Sequence, residues 1–161
     1  MGRDTKHSIL YDTWAYVALA DRSDPSAHIA ANSANRKLLL EKYRPVTTNY
    51  IVDESLTLMK RRLGHRAACL FLEDLEAGIK SELIRLEWIS PERENKAREI
   101  FVRYQDKRGL SFTDCTSLVV MKELGLSLIF TAERDFETVD PKIFPFRCLI
   151  RQVKGKYVLR M

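Results

Sequence analysis

Apolar residues fall in short blocks along this chain, several of which close on a carboxylate. SILYD (8–12) reads as a buried strand ending at Asp12, and TWAYVALA (13–20) as a helical turn or two after it. Asp24-Pro25 opens an amphipathic helix to about Lys42, with Asp24 as N-cap and Pro25 at the first helical position, and Arg44-Pro45 breaks it. Val46 to Thr48 is a short extended piece, and Thr48 or Asn49 caps a helix to about Arg62 that Gly64 stops. His65 to about Ile79 has helical spacing, and SELIRLEWIS (81–90) alternates like a strand. Ser90-Pro91 starts a helix to roughly Asp106, whose PERE opening places acids at the positive end of the dipole. Ser111 or Thr113 caps the next helix, Gly125 ends it, and SLIFT (127–131) is a second buried strand. This alternation predicts an α/β fold with a mostly parallel central sheet and helices on both faces. The segment 147–160, RCLIRQVKGKYVLR, reads as a hairpin turning at Gly155 and adding an edge to that sheet.

In such sheets ligands sit outside the carboxyl ends of the strands, the rim that helix N-termini also face. Asp12 and the residues after Phe130 end strands; Glu54 and Asp114 lie in the first turns of helices. Asp12, Glu54, Asp114 and Glu133, with Asp135 close by, can therefore converge. Such a cluster repels itself unless cations sit in it, which points to a divalent metal and to metal-assisted chemistry on a phosphate backbone. Each acid also has an ordinary explanation. Asp12 and Asp114 suit helix caps, Glu54 competes with Asp53, and Glu133 and Asp135 suit a surface turn. The joint pattern favours function, since threonines accompany three of the blocks (Thr13, Thr113, Thr131) and can orient a ligand.

At 161 residues and 45% hydrophobic, the chain fits one domain, 1–161, with a proper core. No apolar run reaches the ~18 residues that span a bilayer, and the polar MGRDTKHS start argues against a leader peptide. Cys69, Cys115 and Cys148 lack metal-type spacing and read as reduced thiols of a cytoplasmic protein. His7, His28 and His65 are isolated, and neither a zinc cluster nor a glycine-rich phosphate loop is present. Six of the 27 basic residues, and none of the 22 acids, fall within 141–161. The rest of the chain is thus near neutral, and Arg147, Arg151, Lys154 and Lys156 become candidate contacts to a polyanion such as a nucleic acid, with a lysine-guarded edge strand the competing explanation. The basic run Lys60-Arg61-Arg62 reads as a solvated helix end.

ILYDT, TTNYIVDESLTLM, FTDCTSLVVMKELG and LIFTAERDF together resemble the signature blocks of the PIN-domain nucleases, most nearly the VapC-type toxins of toxin–antitoxin pairs. The resemblance runs from about Ser8 to Phe136 and implies a three-layer α/β/α domain with a Mg²⁺- or Mn²⁺-dependent endoribonuclease site. By position Asp12, Glu54 and Asp114 match the family's characteristic acids. The fourth block departs: the family commonly has Thr-x-Asp where this chain has Thr131-Ala132-Glu133, and the longer side chain can shift a metal. Glu133 ranks ahead of Asp135 as the fourth acid. The resemblance further implies an RNA substrate, an antitoxin partner and a homodimer. A housekeeping nuclease of RNA processing, or a degenerate RNA- or protein-binding module, are the alternatives on the same scaffold.

Overall fold

Strand β1 (Ser8–Tyr11), wholly buried, lies at the centre of a five-stranded sheet. A computed structural model of the chain describes residues 7–160; the first six residues, on which the no-leader expectation rests, and Met161 lie outside the described residues. Around β1 the order is β3 (Arg85–Glu87), β2 (Arg44–Thr48), β1, β4 (Leu128–Phe130) and β5 (Arg147–Cys148), every neighbouring pair being parallel. Between the strands run α1 (Thr13–Ala20), α2 (Pro25–Leu40), α3 (Asn49–Leu63), α4 (His65–Lys80), α5 (Pro91–Arg103) and α6 (Phe112–Leu124), which flank the sheet in the α/β/α arrangement. The chain winds from β1 outward to β2 and β3, then returns to the other side of β1 as β4. The crevice between the carboxyl ends of β1 and β4 is therefore the topological switch point, where ligands bind in such sheets.

Local signals explain most element starts. Asp24 accepts from Ala27 N at 3.3 Å with Pro25 following, Thr48 Oγ1 accepts from Ile51 N at 3.1 Å, and Ser90 Oγ accepts from Arg93 N at 3.3 Å. Helix α6 begins on a reciprocal capping box between Ser111 and Asp114, so Ser111 and not Thr113 is the cap. It ends at Gly125, whose left-handed φ of 65° closes the helix at little cost.

Several expectations are corrected. Helix α2 stops at Leu40, where Lys42 takes a positive φ, and Arg44-Pro45 then joins β2 beside Ser8 and Ile9. Proline is tolerated at the second position of β2 because pairing with β3 begins only at Val46, so its missing donor costs little. The alternating stretch 81–90 yields three strand residues, and α5 ends at Arg103, short of Asp106. The tail does form a hairpin, β6 (Ile150–Val153) with β7 (Lys156–Leu159), but these strands pair with one another as a separate two-stranded sheet. The short β5 is what extends the main sheet. The three cysteines are free, and among the described residues no helix is long and apolar enough to cross a membrane.

Candidate active site

Asp12 follows β1 directly, and its backbone N donates to Phe130 O at 3.2 Å, tying it to the end of β4. It occupies the N-cap position of α1, yet its side chain makes no capping bond. Its carboxylate is instead turned into the molecule, 3% exposed. Oδ2 accepts from Thr131 Oγ1 at 2.8 Å, whereas Oδ1 is buried with no hydrogen-bond partner among the described residues. A buried carboxylate oxygen without a partner costs several kcal/mol unless a cation or proton meets it.

The switch-point crevice is a pocket of about 290 Å³ lined by all four acids anticipated from the sequence, Asp12, Glu54, Asp114 and Glu133, together with Asp135. Glu54 reaches it from the second turn of α3, while neighbouring Asp53 is exposed outside it. Asp114 enters from the first turn of α6. Its Oδ2 accepts from Ser111 N at 2.9 Å, so capping and site geometry are served by one side chain. Glu133 stands at the mouth, its backbone N donating at 3.1 Å to the same Thr131 hydroxyl that holds Asp12. The Asp135 carboxylate lies against Gly109, where an added Cβ would overlap it. Thr13 also lines the pocket, and its hydroxyl meets Ser55 Oγ at 3.5 Å; Thr113 lines no part of it.

Electrostatics register the crowding. Burial, then the nearby Asp114 and Glu54, push the Asp12 carboxyl up to about 7. Burial, with repulsion from Glu54 and Glu133, pushes Asp114 up to about 6 against the pull of its Ser111 hydrogen bonds. Glu133 is raised by withdrawal of its carboxyl from water and by Asp135 and Glu54, although the residue as a whole is exposed. Desolvation and like charge both penalise the ionised forms. Among the described residues, no three His, Cys, Asp or Glu side chains are gathered tightly enough as they stand to ligate one ion. The acids share a pocket without forming a closed ligand set. Their donor chemistry nevertheless suits a hard divalent cation: carboxylate oxygens alone, one of them buried and unpartnered.

Three charged side chains and one aromatic in the pocket lining are not anticipated from the sequence. Arg62, taken there as part of a solvated helix end, lines the pocket, as do Trp14, Asp21 and the α2 cap Asp24. Asp21 accepts from Ser23 Oγ at 2.5 Å and Ser23 N at 2.9 Å, bonds that hold it below the usual carboxylate range. A basic residue about two turns beyond a rim acid on the same helix, as Arg62 is beyond Glu54, is a usable signal; nothing local marks Trp14. Of the four basic tail candidates, Arg147 separates from the rest. It pairs with Leu128 at the beginning of β4, opposite the rim, in a shallow depression with Tyr43 and Ser127.

The PIN domain family model matches residues 9–142, a span that includes every pocket acid. The 23S rRNA-specific endonuclease VapC20 of Mycobacterium tuberculosis is 34% identical over 131 residues, covering 80% of this chain and 91% of that protein. A VapC ribonuclease of Archaeoglobus fulgidus is 38% identical over 86 residues, 53% of this chain and 52% of that protein. The crystal structure of Mycobacterium tuberculosis VapC20, a sarcin–ricin loop cleaving toxin, matches with a TM-score of 0.66 and 32% identity, over 80% of this chain and 92% of that one. Fold, switch-point acids and both similarities agree, and the chain belongs to the PIN domain family, beside the VapC ribonucleases.

Proposed function

We propose that this chain is a divalent-cation-dependent endoribonuclease of the VapC toxin kind, hydrolysing a phosphodiester of ribosomal RNA. The observation that carries the reading is the Asp12 carboxylate: buried, unpartnered at Oδ1, and shadowed by Asp114 and Glu54 at the switch point. Asp12, Glu54, Asp114 and Glu133 would hold Mg²⁺ or Mn²⁺. Such a cation, when bound, supplies an acidified water and neutralises charge developing on the phosphodiester. The chain's own residues prepare the place. Thr131 fixes one Asp12 oxygen and leaves the other free, and Ser111 fixes Asp114. Glu54 lies near enough to repel both, and Arg62, in the pocket lining, would offer a guanidinium to a phosphate oxygen.

Similarity to an enzyme named for 23S rRNA supports ribosomal RNA as the substrate class, and a sarcin–ricin stem–loop as the first substrate to try. A toxin acting on ribosomes in the cytoplasm needs a silencing partner, so an antitoxin protein covering the acidic pocket belongs to the same proposal, as does a homodimer. The test is incubation of the purified chain with that stem–loop RNA. Cleavage should require Mg²⁺ or Mn²⁺, stop on chelation, and vanish with Asp12→Asn. Undiminished cleavage by a contaminant-free Asp12→Asn preparation would refute it. Growth arrest on expression of the chain alone separates a toxin from a housekeeping nuclease.

A further inference from the structure

The acidic pocket poses an electrostatic problem for a polyanionic substrate. Among the described residues its lining acids outnumber the one cationic side chain there, Arg62, and a bound divalent ion offsets part of the excess. Nucleic-acid affinity depends on Lys and Arg neutralising phosphates, so positive charge must stand close to the pocket. The C-terminal hairpin stands there. Beyond β5 the backbone continues along β4: Leu149 N donates to Ile129 O at 2.8 Å and Ile150 N to Thr131 O at 3.2 Å. The chain thus leaves the sheet at the carboxyl rim, next to the residue that holds Asp12.

The hairpin is fastened at that rim on two sides. Arg134, between Glu133 and Asp135, donates from Nη2 to Gln152 O at 2.8 Å. Tyr157 packs on Trp14 with ring centroids 5.4 Å apart, and Trp14 lines the pocket. Strand alternation then separates two faces. Gln152 and Tyr157, cross-strand partners, belong to the inner one, leaving Arg151, Lys156 and the turn residue Lys154 exposed. Consecutive positive φ values at Lys154 (49°) and Gly155 (77°) make the tight two-residue turn that ends the arm. Arg160 is taken by Glu137 at 2.7 Å, whereas none of the ion pairs among the described residues takes Arg151, Lys154 or Lys156. No acid occurs between 141 and 161, and the hairpin begins past residue 142, where the family match stops.

We infer that the hairpin Ile150–Leu159 is an RNA-binding arm. Arg151, Lys154 and Lys156 contact backbone phosphates of the strand whose scissile bond lies over Asp12, an inference that rests on the ribonuclease reading. The exposed face of the arm carries three unpaired cations and only two large apolar residues, Val153 and Val158, a composition that suits phosphates better than an apolar protein partner.

The experiment measures binding of a fluorescent stem–loop RNA to the inactive full-length Asp12→Asn chain across a salt series. It is repeated with Arg151→Gln, Lys154→Asn and Lys156→Gln added, asparagine being chosen because it tolerates the left-handed turn position. The expected result is an affinity at least about tenfold lower near physiological salt, and a slope of log affinity against log salt flatter by about 2, from roughly 0.7 per phosphate contact. The charge-conserving pair Arg151→Lys and Lys156→Arg should retain both, and a thermal midpoint of the triple variant equal to that of Asp12→Asn alone excludes a folding defect as the cause. Equal affinity and slope in the triple variant would overturn the arm, while RNA cleavage by the unmodified chain would leave the ribonuclease reading standing. If the unmodified chain neither cuts nor binds the RNA, both fall.

Discussion

Thr131 and Asp12 are 119 positions apart in the chain, yet Thr131 Oγ1 donates to Asp12 Oδ2 at 2.8 Å, and the same hydroxyl accepts from Glu133 N. One buried side chain thereby orients the innermost acid and anchors the loop bearing the outermost. Thr131→Val keeps the shape and removes the hydroxyl. Loss of a group that orients metal-binding carboxylates typically costs 10–100-fold, so RNA cleavage should fall by about that factor while the far-ultraviolet circular dichroism spectrum stays unchanged. Activity within twofold of the unmodified chain would show that Asp12 needs no such support.

The raised carboxyls set a pH dependence. Asp12 near 7 and Asp114 near 6 both lie above their ordinary value of 3.8, so the folded chain holds protons that the unfolded chain has already released. Stability is then greatest at the acidic end of this window and declines as pH rises from about 4 to about 7. Asp21 and Glu123, whose carboxyls are lowered, act in the opposite sense, but below the ordinary carboxylate range. Thermal unfolding in chelator should show a midpoint on the order of 5 °C lower at pH 8 than at pH 5.5, about 2 kcal/mol. A midpoint that is flat or rises over that interval contradicts the crowded-carboxylate picture.

Glu133 and Asp135 both line the pocket, but they differ in attachment. Glu133 is held through Thr131, whereas Asp135 rests on Gly109. If Glu133 is the fourth acid, Glu133→Gln should lower cleavage by roughly 100-fold or more, and Asp135→Asn by less than about tenfold, in line with the span of single-group effects in catalysis. Gly109→Ala supplies a check from outside the acids, because its methyl displaces the Asp135 carboxylate and leaves Glu133 in place. Gly109→Ala and Asp135→Asn should behave alike; a larger loss in either than in Glu133→Gln reverses the ranking.

The elements that local chemistry specifies were legible in the amino-acid pattern. Asp24-Pro25, Thr48, Ser90-Pro91 and Ser111 start helices where they should, since a cap needs only its own first turn. The rim acids were legible for a related reason: a parallel sheet forces strand ends and helix starts onto one edge. Arg44-Pro45 does lie beyond the end of the helix, but its place in β2 comes from pairing with Ser8 and Ile9, far away in sequence. The hairpin's separation from the main sheet, and the packing of Tyr157 on Trp14, likewise depend on tertiary neighbours that no local window contains. Arg62 is not legible as a site residue because a cation at a helix end already has a sufficient local reason to be there.

The convergence of acids is tested most directly by calorimetric titration of Mn²⁺ into the metal-free chain and into Asp12→Asn, with both confirmed folded. The unmodified chain should bind Mn²⁺ and gain thermal stability with its concentration, since a ligand of the folded state alone must stabilise it. Asp12→Asn should bind at least about tenfold more weakly while melting no lower in chelator, its buried charge having been removed. Equal Mn²⁺ binding by the two proteins, or none by either, would mean that the acids around Asp12 do not form a cation site.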